Sequence, residues 1–311
     1  MSLAIRFLLL LPLFIVLFIV GAVPMEGVMP PESASEPGLL APGAGLLVYA
    51  LANVAVVAAL IMTSRWCGWK LALGLSVAYY GSVTFMTQIE TWYFLSDLTV
   101  APELLPLLFV MGIPPAFIFI PAAVWLLGWW QTKGRSSAKL AAGLPPTQWV
   151  VKFAVISVVY LALYWLAGYF IAWQNPDLRA FYGSPGPATP FLEHTARSVG
   201  EDPWLFPFQL LRGVMWAGFA LIVIRGSRVG PWPTALVVAL LLSVPQNVGH
   251  VLANPLLPQA SVRLSHMIET ASSMFVFGLL VTGLLHRRHR SIADLFGGRV
   301  GPAPTPGEAS G

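Results

Sequence analysis

Cysteine is all but missing from this chain. Cys67 is the single one in 311 residues, so no internal disulfide can close, and neither a CxxC pair nor a Cys/His spacing suited to a zinc or iron–sulfur site exists. Charge is scarce too. Only 10% of residues are Asp, Glu, Lys or Arg, against about 25% in an ordinary soluble domain. With 57% hydrophobic residues and a mean hydropathy of +0.76, a soluble globular enzyme is excluded. The apolar runs also lack the strict alternation of a membrane β-barrel, and the dense HExxH pattern of a helical zinc protease does not occur.

What the chain does have is long apolar runs. Eight of them, near 5–23, 43–64, 69–90, 104–130, 149–173, 205–225, 232–251 and 264–286, reach the roughly 17 to 25 residues that cross a hydrocarbon core. In lipid every backbone group must be satisfied inside its own segment, so these runs are predicted as helices. The predicted fold is all-α: a polytopic integral membrane protein, a bundle of about eight transmembrane helices over residues 1–290, followed by a disordered tail over 291–311 that is rich in Pro, Gly and Ala.

The connections orient the bundle. Arg6, Arg65, Lys70, Lys133, Arg135, Lys139, Lys152, Arg225, Arg228, Arg287, Arg288, Arg290 and Arg299 fall on one side of an eight-helix plan, 13 of the 17 Lys and Arg. Glu26, Glu32, Glu36, Asp97, Glu103, Asp177, Glu193, Glu201 and Asp202 fall on the other. Basic loops stay cytoplasmic, so both termini are expected inside, in the plasma membrane. The sequence pI near 9.4 then reflects loops facing an anionic leaflet, and nucleic acid is not an expected partner. The opening stretch MSLAIRFLLLLPLFIVLFIVGAV has the basic start of a signal peptide, but its apolar run exceeds a usual h-region and Pro24 makes a poor cleavage site, so it is read as a retained helix. Pro114, Pro115 and Pro121 should bend the fourth segment. The outer connection 174–204 is expected either as a lid over the outer mouth or as a surface connection, with His194 solvated.

Direction assigns depth to the polar residues inside the segments. Glu90 lies near the outer end of the third, Gln209 and Arg212 one or two turns into the sixth, Gln246, Asn247 and His250 near the outer end of the seventh, and Arg263, His266 and Glu269 at the outer start of the eighth. At 100° per residue Arg263, His266 and Glu269 span about 120° of one helix face, with Thr270 and Ser273 continuing it. Intramembrane ionisable groups cost several kcal/mol unless paired or hydrated, so these side chains should share one outward-facing polar pocket.

Four functions suit such a pocket. The first is a membrane-embedded enzyme for an apolar, lipid-like or lipid-linked substrate. There Glu90 and Glu269 are the catalytic carboxylates, Arg212, Arg263, Gln209, Gln246 and Asn247 hold the substrate, and His250, His266 and Glu269 are ligands for a divalent metal such as zinc. A b-type haem held by His250 and His266 is the second. Transport or binding of an anionic amphiphile is the third, although alternating access usually puts the polar site at the midplane. The fourth is a purely structural network in which Arg212 and Arg263 neutralise Glu90 and Glu269.

Overall fold

The computed structural model describes residues 2–96, 98–131, 146–286 and 294. The expected tail and the basic residues at 133, 135, 139, 287, 288, 290 and 299 lie outside the described residues. Helices dominate the described residues, with no strand among them. In order come α1 (Leu3–Ala22), α2 (Pro42–Met62), α3 (Gly68–Tyr79), α4 (Met86–Leu95), α5 (Leu104–Met111), α6 (Ile120–Leu126), α7 (Pro146–Phe170), α8 (Pro176–Phe181), α9 (Phe191–Glu201), α10 (Leu205–Gly226), α11 (Pro231–Asn247) and α12 (Ala260–His286). Two π-helical turns, Tyr80–Phe85 and Pro114–Phe119, join α3 to α4 and link α5 to α6.

Among the described residues, seven helical stretches are long and apolar enough to cross a membrane: Leu3–Met25, Pro42–Met62, Leu104–Leu126, Pro146–Gln174, Leu205–Gly226, Pro231–Val251 and Ala260–His286. The chain is therefore a multi-pass membrane protein. The remaining expected segment, 69–90, also folds as helix but is less apolar, because Tyr79, Tyr80, Ser82, Thr84, Thr87 and Gln88 occupy its second half. It tolerates them because it packs inside the bundle, where Tyr79, Ser82, Thr84 and Gln88 are buried.

Proline explains the bend in the fourth segment. Pro114 and Pro115 have no N–H to return to the preceding turn, and the backbone there widens into a π turn. Neighbours satisfy carbonyls around it: Ser76 Oγ donates to Ala116 O at 2.7 Å and Tyr80 Oη donates to Phe109 O at 3.0 Å. At Gly112 a Cβ would sit 1.9 Å from Thr84 Oγ1, so the two bent helices approach at a position only glycine allows. Gly278 does the same between α12 and α11, since its Cβ would meet Ala239 Cα at 2.4 Å. Small residues at such contacts are the usual way membrane helices pack, where lipid supplies no hydrophobic drive. α1 joins the bundle through Leu10, Phe14 and Leu17, with Phe14 edge-on to Phe119 at 5.2 Å and tilted on Tyr49 at 5.7 Å.

The two ends of the bundle differ. At one, the α2–α3 and α10–α11 connections lock together: Arg65 donates to Arg225 O, and Arg228 donates to Met62 O. At the other, acidic side chains hold the connections. Glu36 accepts from the Ala260 N–H at 2.7 Å, Asp177 accepts from Ser261 Oγ at 2.6 Å, and Asp202 accepts from Tyr93 Oη at 2.6 Å. These contacts tie residues 174–204, as α8 and α9, over the ends of α4, α7 and α12. Arg179 is buried within this cap and donates to Trp173 O and Gly186 O. The solvated His194 of the sequence reading is corrected here. Its side chain is buried among Trp165, Tyr169 and Trp173, because amphipathic α9 turns it toward α7. Burial, with Arg197 beside it, lowers its pKa below the ordinary histidine range.

Candidate functional site

α10 supplies the centre of the polar site. Arg212 lies seven residues from the start of α10, roughly 10 Å below its acidic end at 1.5 Å per residue. It is 2% exposed, its Nη2 donates to Glu90 Oε2 from α4, and its Nη1 donates to Gln209 Oε1 one turn away at 2.9 Å. The rings of Tyr160 and Phe208 lie over the guanidinium, each centroid 5.7 Å from Cζ. Glu90 keeps about a third of its side chain exposed, at 37%, so this carboxylate is held by the arginine without being sealed away.

A cavity adjoins the pair. It is lined by Glu90, Tyr160, Leu163, Tyr164, Arg212, Trp216, Gln246, Glu269, Thr270, Ser273, Met274 and Phe277, and its volume is about 20 Å³, room for roughly one water. Five helices meet there: α4, α7, α10, α11 and α12. Glu269 faces Arg212 across the cavity without pairing to it. Its Oε2 accepts from Thr270 Oγ1 at 2.8 Å and lies 3.8 Å from His266 Nδ1; among the described residues Oε1 has no hydrogen-bond partner. Gln246 is braced from behind, accepting from Thr87 Oγ1 at 3.2 Å and donating to Leu242 O at 2.8 Å.

His266 stands one step outside the cavity. Its Nε2 meets Tyr182 Oη from the cap at 3.1 Å. Burial, then the Glu90 and Glu269 carboxylates, push the Tyr182 phenol above its ordinary range. The hydroxyl therefore keeps its proton and shares one hydrogen bond with Nε2, whose direction follows the imidazole tautomer. A Tyr182–His266–Glu269 chain thus runs from the cap to the cavity.

The other residues singled out by sequence have different places. Arg263 is fully buried at the mouth, not in the cavity. Its Nη1 donates to Leu257 O and Pro258 O at 2.8 and 2.7 Å, and its Nη2 to Glu36 O and Pro37 O at 3.0 and 2.6 Å. Those four carbonyls occupy both terminal nitrogens and leave only Nε unbonded, and Arg263 does not line the cavity. Asn247 is buried with its amide on Ser243 O, away from the cavity lining. Gln209 reaches the site only through Arg212. His250 stacks beside His266 with ring centroids 6.3 Å apart. Among the described residues no group of three His, Cys, Asp or Glu side chains gathers closely enough to hold a metal ion, so His250, His266 and Glu269 do not form the expected ligand set in this conformation. α11 and α12 pack directly on each other, and Tyr182 Oη meets His266 Nε2.

Tyr160, Tyr164, Trp216 and Tyr182 were not marked by sequence. The first two sit four apart in an apolar segment, a spacing shared by ordinary core aromatics, and Tyr182 is distant in the chain from every residue it serves. No family model, curated protein or solved structure matches the chain.

Proposed function

We propose that this protein is a membrane-embedded enzyme that activates a lipid-like substrate from the outer leaflet by general-base catalysis. The observation carrying this reading is the pairing pattern around Glu269. It is a buried carboxylate with one oxygen open to a cavity, no arginine partner, and a histidine behind it whose far nitrogen is already engaged. A carboxylate kept only for neutrality would be expected to sit on the nearby arginine, and Glu90 fills that role. Glu269 is the base that touches the substrate. His266 is a positioning residue: its Nδ1 lies 3.8 Å from Glu269 Oε2 and its Nε2 is held by Tyr182 Oη. Glu90 and Gln209 hold Arg212 rigid, and the residue set needs no metal for this step.

The outward orientation belongs to the same proposal. It is supported by the basic connections at the bundle end opposite the cavity. A plasma-membrane location and the role of the 174–204 cap as a lid over the site are likewise proposed; the second is supported by Tyr182 reaching His266.

Lipid extracts of cells expressing the protein, compared by mass spectrometry with extracts from Glu269→Gln and His266→Gln cells of equal protein level, test the enzyme. At least one lipid class should change with the parent chain and stay at the empty-vector level with Glu269→Gln. His266→Gln should retain a small activity. Identical extracts from all cells would remove the enzyme reading.

A further inference from the structure

Unused donors cluster on one face of α10. Gln209, Arg212 and Trp216 lie at i, i+3 and i+7, within roughly 60° of one another around the helix, and are 0%, 2% and 1% exposed. Each keeps one buried nitrogen without a hydrogen bond: Gln209 Nε2, Arg212 Nε and Trp216 Nε1. The Trp216 nitrogen is turned toward the Tyr160 hydroxyl as a donor but falls short of full hydrogen-bond geometry. Buried N–H groups left unpaired are destabilising, and a bundle in lipid has little water to spare for them. Arg212 and Trp216 both line the cavity, so an acceptor placed there would serve this face.

Across the cavity the imbalance has the opposite sense. Glu269 Oε1 and Glu90 Oε1 have no hydrogen-bond partner among the described residues, and each wants a donor. An anionic head group would satisfy α10 but face two carboxylates, with Arg212 already neutralised. A quaternary ammonium would suit the carboxylates and leave the α10 donors unpaired. A hydroxyl group both donates and accepts, carries no charge, and matches a cavity of about 20 Å³.

From this we infer that the cavity recognises the hydroxyl of an uncharged, alcohol-headed amphiphile. The oxygen accepts from the Arg212–Trp216 face, the proton is donated to Glu269, and the apolar chain leaves between the helices past Leu163, Met274 and Phe277. The inference rests on the general-base reading for its catalytic meaning, since the donated proton is the one Glu269 would remove. It stands apart from that reading as a statement about binding.

Equilibrium binding of radiolabelled hexadecanol to the full chain in nanodiscs, competed with palmitate or hexadecyltrimethylammonium, is the test. Hexadecanol should bind saturably and outcompete both charged analogues by about tenfold or more, a difference of roughly 1.4 kcal/mol. Trp216→Phe and Glu269→Gln should each weaken it by a similar factor; should Trp216→Phe fail to fold, Glu269→Gln carries the comparison. His266→Gln should bind within about twofold of the parent, because His266 does not line the cavity. Saturable alcohol binding by the parent chain while its cells turn over no lipid would overturn the enzyme and keep this inference. Tighter binding of either charged analogue, equal binding to the Trp216 and Glu269 variants, or no saturable amphiphile binding at all, leaving water as the only occupant, would overturn it.

Discussion

Two buried arginines in the same half of the bundle are satisfied in opposite ways. Arg263 gives its guanidinium to four backbone carbonyls drawn from residues 36–37 and 257–258, and has no carboxylate partner. Arg212 takes one carboxylate and one amide, and leaves Nε unused beside a cavity. Nε is unbonded in both, so the difference lies at the terminal nitrogens: a cation that gives both of them to backbone carbonyls ties connections together. A cation held by a partly exposed carboxylate, next to a second carboxylate that ignores it, maintains a polar space inside an apolar bundle. Burial and charge are nearly equal in the two cases, and the partner list alone separates knot from site.

The largest effect should come from the knot. Arg263→Met removes the donor from four buried or half-buried carbonyls and unties the 36–37 connection from the start of α12. With charge-assisted bonds contributing about 1.5–3 kcal/mol each, a loss of about 4 kcal/mol or more is expected, seen as a collapse of the monodisperse fraction in detergent and of the thermal melting point. Arg263→Lys should recover only part, since a single ammonium cannot span four acceptors in a plane. Near-native melting of Arg263→Met would erase the distinction drawn between the two arginines.

A smaller effect is expected where the arginine keeps a site. Glu90→Gln leaves Arg212 buried without its counter-charge. The penalty should be about 3 kcal/mol, the low end for a broken buried pair, because Glu90 is 37% exposed and water can reach the gap. Replacing both residues, as Glu90→Leu with Arg212→Leu, should restore much of the melting temperature while abolishing function. A double variant no more stable than Glu90→Gln would show that the pair is not a self-contained unit.

The sequence displayed the bundle because lipid imposes length and hydropathy on every crossing, and seven of the eight expected segments carry that mark plainly. The 69–90 segment stands out less, since a helix surrounded by protein is released from the rule and can hold Tyr79, Ser82 and Gln88. The clustering of Glu90, Arg212, Gln246 and Glu269 was legible from depth alone, for charged side chains have few permitted places in a membrane protein. Their partners were not. Whether Arg263 finds a carboxylate or a ring of carbonyls depends on connections more than two hundred residues away in the chain, at 36–37, and no periodicity encodes that. His194 was misplaced for the same reason: its aromatic surroundings come from α7 and Trp173, while its immediate neighbours Glu193 and Thr195 look like solvent.

The smallest stability effect should belong to Glu269, and it sharpens the comparison most. Both site carboxylates are glutamates lining one cavity, but only Glu90 is charge-paired with an arginine. Glu269→Gln keeps the shape, and its amide oxygen can still accept from Thr270 Oγ1. The amide nitrogen can serve as a donor within the cavity, so no buried cation is stranded. Removing a carboxylate from an apolar setting also relieves desolvation, which offsets what is lost at His266. The net change should lie within about 1 kcal/mol of zero, measured as the melting point of the purified protein beside Glu90→Gln under identical detergent and salt. A fall as large as that of Glu90→Gln would mean that Glu269 is also holding a cation in the folded protein, and the division between a structural and a chemical carboxylate would fail.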